Sequence, residues 1–126
     1  MTTFEKQQPP ADIPLVRGIT ASGFRIAGHI YDQPLLLYRS NIYQWPDAQL
    51  VQAGALLSLA NLDPKPELLI IGSGAQMQRA DASLIDEMKR HGINVDVMDS
   101  RSAARTYNLL VLEGRRVAVA LLPPNR

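Results

Sequence analysis

The chain has no cysteine, which removes disulfides, thiolate metal ligands and a cysteine nucleophile at a stroke. Only two histidines, His29 and His91, stand among its 126 residues, so a histidine-based zinc site would have to recruit carboxylates. It also lacks an excess of either charge: Lys and Arg number 13 against 12 Asp and Glu, for a formal charge of +1. Strong sequence-independent binding to nucleic acid needs many phosphates neutralised by clustered cations, and no such cluster exists along the chain. No apolar run approaches the ~20 residues of a membrane span. The first ten residues contain no apolar core of the kind a secretory signal requires. Together these absences predict a cytoplasmic protein, to which the missing cysteine is no obstacle.

What is present is ordinary for one globular domain: 46% hydrophobic and 20% charged residues. Residues 1–14 are polar and hold three prolines, a composition that predicts a flexible N-terminal arm. Residues 15–124 are expected to form the single domain. Over 15–45, short β-branched and aromatic stretches are broken by turn signals at Ala21-Ser22-Gly23, Asp32-Gln33-Pro34 and Ser40-Asn41, which predicts a meander of antiparallel strands. Leu50, Ala53, Leu56, Leu57 and Ala60 follow helical spacing, interrupted by Gly54. A short helix over 47–62 is therefore expected, ended by Asp63-Pro64-Lys65-Pro66.

The C-terminal half carries the clearest pattern. Leu68-Leu69-Ile70-Ile71 runs into Gly72-Ser73-Gly74, and Ile93-Asn94-Val95-Asp96-Val97-Met98 runs into Asp99-Ser100. Between them Leu84, Ile85 and Met88 form an apolar stripe after the capping candidates Asp81 and Ser83, with Lys89-Arg90-His91-Gly92 closing it. Ser100 then opens a second helix whose apolar residues Ala103, Ala104, Tyr107, Leu110 and Val111 share a face, and Gly114 ends it before a third strand over 116–122. This is a β-α-β-α-β unit. Parallel strands would bring both turns to the carboxyl ends of the sheet, where open α/β folds collect ligands.

That rim gathers Gly72, Ser73, Gly74, Asp99 and Ser100, with Arg101, Arg105 and Asn108 recurring along one stripe of the last helix. A carboxylate or phosphate could be held there by helix N–H groups and the arginines. Against this, Gly72-Ser73-Gly74 lacks both the third glycine of a dinucleotide fingerprint and the ending of a P-loop. The simpler reading is that the glycines turn the chain and Asp99 or Ser100 caps the helix, and the Asp99 carboxylate would repel an anion. Ser73 lies outside a Gly-x-Ser-x-Gly frame, neither histidine has a reason to approach it, and Asp96 and Asp99 sit in unlike contexts. No catalytic residue and no metal ligand is therefore assigned. Leu109 and Leu112 lie off the main apolar stripe of the last helix. More than one of its faces must be covered, by the chain itself or by a partner.

The segments Leu69 to Gly74, Gly92 to Ser100, Ala103-Ala104-Arg105-Thr106-Tyr107-Asn108-Leu109-Leu110 and Glu113-Gly114-Arg115-Arg116-Val117-Ala118 resemble the small "Mth-like" domain family of uncharacterised bacterial and archaeal proteins. The mitochondrial complex I assembly factors of the same superfamily are similar. The resemblance implies a three-layer α/β fold: a mixed central sheet flanked by helices, with a smaller β-meander layer. It implies no established enzymatic activity and no cofactor, and it points to protein partners, including assembly of a membrane complex. By motif it singles out Gly72, Ser73, Gly74, Asp99, Thr106, Tyr107 and Asn108. Ser73 and Ser100 stand where threonine is common, and Ala104 where cysteine is frequent.

Two functional readings follow. The preferred one is a non-catalytic protein-binding or assembly-factor-like module, without nucleic acid as a partner. The alternative is a binder of a small anion or metabolite, or an enzyme, using Ser73, Asp99, Arg105 and Asn108.

Overall fold

The structure, a computed structural model, describes residues 13–44 and 56–126. Strands β1 (Val16–Ile19), β2 (Phe24–Ile26) and β3 (His29–Tyr31) form a small antiparallel sheet in that order. Strands β4 (Leu35–Tyr38), β5 (Asn41–Gln44), β6 (Leu68–Gly72), β7 (Asn94–Met98) and β8 (Val117–Leu121) form the main sheet in the order β5-β4-β8-β6-β7. Helix α1 (Ala82–Arg90) joins β6 to β7, and α2 (Ser100–Leu112) joins β7 to β8. Among the described residues the fold is thus a mixed α/β domain with two sheets and two α-helices.

The expected meander is divided between these sheets. Leu35–Tyr38 is buried at every position, which suits a strand enclosed on both faces rather than one in a half-exposed layer. It pairs antiparallel with β8 on one side and β5 on the other. Strand β8 is likewise buried throughout, between β4 and the parallel β6.

The main sheet separates two cores. On one face, Ile70, Val117, Val119 and Leu121 pack with Ala103, Ala104, Tyr107 and Val111 of α2 and with Phe24 and Ile26 of the small sheet. On the other, Leu69, Ile71, Ala118 and Ala120 pack with Leu84 and Met88 of α1 and with Leu56 and Leu59. The alternation of Val and Ala along β8 sets this division, because successive side chains of a strand point to opposite faces.

Of the helix expected over 47–62, residues 47–55 lie outside the described residues. Of the remainder, Leu57–Asn61 is a 3-10 helix, a short tight turn ahead of the proline pair. The expected arm lies outside the described residues over 1–12. Ile13 packs half-buried against the first core.

Candidate functional site

Strand β6 runs parallel to both β7 and β8, with Gly72 opposite Met98 on one side and Leu121 on the other. Three carboxyl ends therefore meet at one rim, as the sequence pattern requires. What occupies that rim is the chain itself. A Cβ on Gly72 would lie 2.8 Å from a Leu121 methyl and 2.9 Å from Ser100 Cα, so glycine is needed here for close approach of α2. Gly74 has φ +99°, and a Cβ there would meet the Arg126 backbone at 2.5 Å.

The polar groups of the rim are equally engaged. Ser73 is 2% exposed; its hydroxyl donates to the Gln76 carbonyl at 2.7 Å and accepts from the Gln78 N–H at 2.9 Å. It ties down the turn that follows β6, a use quite different from a nucleophile's. Ser100 is fully buried. Its Oγ accepts from the Gly74 N–H at 2.8 Å, while its own N–H donates to the Gly74 carbonyl at 2.8 Å.

Asp99, rather than Ser100, is the N-cap of α2. One carboxylate oxygen accepts from the Ser102 N–H at 3.0 Å and the other from the Ser102 hydroxyl at 2.7 Å. These bonds, with help from the Arg101 N–H and the nearby Arg105 charge, hold its pKa below the ordinary carboxylate value. The Ala103 N–H donates to the Asp99 carbonyl at 2.9 Å. Thus the Ser100, Ser102 and Ala103 amides, which would receive an anion at a bare helix N-terminus, have partners within the chain.

The remaining candidates lie elsewhere along α2. Thr106 Oγ1 approaches Met98 Sδ at 3.6 Å. Tyr107 is fully buried; its hydroxyl donates to the Pro14 carbonyl at 2.8 Å, and burial pushes its pKa up. Asn108 Oδ1 accepts from the Val16 N–H at 2.9 Å and its Nδ2 donates to the Val16 carbonyl at 2.8 Å. A side-chain amide here completes one rung of a ladder, capping the edge of β1 where a neighbouring strand would otherwise stand.

The nine sequence-derived residues therefore do not form one site: Thr106 and Tyr107 bond to Met98 and Pro14, and the other seven separate into two places. Gly72, Ser73, Gly74, Asp99 and Ser100 share the closed rim. Arg105 and Asn108 instead line an open groove of about 300 Å³ between α2 and β1, with Arg101, Ala104, Val16, Arg17, Gly18 and Ile19. The sequence reading missed Arg17, because nothing local to β1 tells which helix it faces. The extra apolar residues of α2 are mostly covered: Val111 is 4% exposed and Leu110 and Leu112 pack against the core, leaving Leu109 at 62%. His91 ends α1 beside Glu87, and His29 lies edge-on to Tyr31. Neither histidine approaches the rim through any of these contacts.

A family model described as "protein of unknown function (DUF498/DUF598)" matches residues 16–122. The chain belongs to that family. Among its relatives is the NADH dehydrogenase [ubiquinone] 1 alpha subcomplex assembly factor 3 of Danio rerio, 35% identical over 104 residues, which cover 81% of this chain and 60% of the relative. This chain thus spans less than two thirds of that protein's length. A crystal structure from Bordetella parapertussis superposes with a TM-score of 0.81 at 29% identity, covering 91% of this chain and 99% of the other. The solution structure of a Mth938-like domain from Bordetella pertussis gives 0.76 at 25% identity, covering 94% and 90%. The family resemblance and the three-layer α/β expectation both hold. Among the described residues, no helix is long and apolar enough to cross a membrane.

Proposed function

We propose that this chain is a non-catalytic protein-binding module that assists assembly of a multi-subunit complex, working in the cytoplasm on a respiratory NADH dehydrogenase. The observation that carries this reading is its likeness to the assembly factor 3 relative over most of its own length. The site geometry is in keeping with it: the strand-end rim, where an enzyme of this topology would place its substrate, is filled by Ser100, Leu121 and Arg126. The small-anion alternative at Ser73 and Asp99 gains little from that geometry, since the Ser100, Ser102 and Ala103 amides it would use are already bonded.

The test is a deletion strain of the source cell, with NADH dehydrogenase followed by native gel and by activity in isolated membranes. A loss of assembled complex, restored by the gene, is expected. Unchanged amounts of assembled complex in the deletion strain would overturn the reading.

A further inference from the structure

The groove between β1 and α2 combines three features. Its floor is apolar, from Val16, Ile19 and Ala104. Its walls carry the guanidinium groups of Arg17, Arg101 and Arg105, all exposed. Among the described residues, no carboxylate lies within ion-pair distance of any of the three, whereas Arg90, Arg115 and Arg116 each have a glutamate partner. Arg25 adds a fourth cation at the border, beside Gly18. A chain of net charge +1 has thus gathered several cations along one narrow trough, with the Asp99 carboxylate near Arg105 offsetting part of that charge at one end.

We infer that this groove docks an acidic segment of a partner protein, one that sets an apolar side chain beside its carboxylates. Charge complementarity selects the acidic partner, and guanidinium forks match carboxylates in pairs. Ile19, only half-buried at the groove, offers an apolar contact that a peptide would use and a bare anion would not. Three lining cations are few for nucleic acid, whose affinity grows with each phosphate neutralised, and none of the lining residues is an aromatic on which a base would stack. Asn108 already fills the Val16 rung at the β1 edge, so the segment is held by the side chains of the groove rather than as an added strand. This inference deepens the assembly reading and rests on it for the identity of the partner.

The experiment uses a labelled peptide alternating glutamate and leucine, titrated into the full chain at low and at physiological ionic strength, with amide signals followed by NMR. Shifts are expected at Gly18, Ile19, Arg101, Arg105 and Asn108, with weaker binding at the higher salt. The combined variant Arg17→Glu, Arg101→Glu and Arg105→Glu should bind about tenfold or more weakly, in line with several exposed charge pairs reversed. A control with Arg79→Glu, Lys89→Glu and Arg90→Glu, which carries the same charge change on and beside α1, should bind as the unaltered chain does. Shifts confined to other surfaces, undiminished binding by the groove variant, or equally tight competition by inorganic phosphate or a short oligonucleotide would overturn the inference. In cells, full restoration of the complex by the groove variant in a deletion strain that lacks it would overturn the groove alone. A deletion strain with normal complex would instead overturn the assembly reading, while the titration still decides on the groove.

Discussion

The strand-end rim and the β1–α2 groove lie at the start and along the flank of the same helix, yet they have opposite character. At the rim, Ser73, Ser100 and Asp99 spend their polar atoms on backbone groups of the chain. In the groove, Arg17, Arg101 and Arg105 reach solvent, and none of them has a carboxylate within ion-pair distance among the described residues. Similar residue types in a sequence thus mean different things according to whether their hydrogen bonds are already made. A polar residue with satisfied bonds supports the fold, and one left open is available to another molecule.

Substitutions should separate the two regions by the size of their effect on stability. The largest is expected at Gly72→Val, which drives a branched side chain into Leu121 and the Ser100 backbone. A loss of about 3 kcal/mol, at the upper end for overpacking, should appear in urea unfolding, and a value near zero would show that α2 can withdraw from the rim. Next comes Asn108→Ala, which strands the Val16 N–H and carbonyl. About 2 kcal/mol is expected, because part-buried groups lose their partners.

Asp99→Ala removes the cap of α2 and should cost about 1 kcal/mol at neutral pH. Its pH dependence sharpens the assignment. The folded pKa is held below the ordinary 3.8, so the contribution of Asp99 is complete above that value and is lost as pH falls through the lower, folded one. The gap between the unaltered chain and Asp99→Ala should therefore close in acid, as measured by denaturant midpoints across a pH series. The smallest effect belongs to the groove: Arg105→Gln should alter stability by no more than about 0.5 kcal/mol. A larger loss would mean that the arginine supports the fold after all.

The β-α-β-α-β order, the caps at Asp81 and Asp99 and the parallel direction of β6 and β7 were legible in the sequence because each has a local cause. Hydrophobic runs, capping residues and glycine turns act over a few positions. The contacts that decide the site act over the whole chain. Tyr107 reaches Pro14 and Asn108 reaches Val16, across separations of 93 and 92 positions, and no local pattern announces such partners. For the same reason Arg17 was invisible as a groove residue, and the sequence did not tell that β4 pairs with β8 and carries β5 into the main sheet.

The Asn108 clasp on Val16 also makes the chain its own gauge. The Val16 amide proton is held by a side chain of a different layer rather than by a neighbouring strand. Its rate of exchange with solvent therefore reports the separation of β1 from α2, and with it how often the two walls of the groove part. A ligand wedged between those walls would slow or hasten that one proton according to whether it draws them together or props them open.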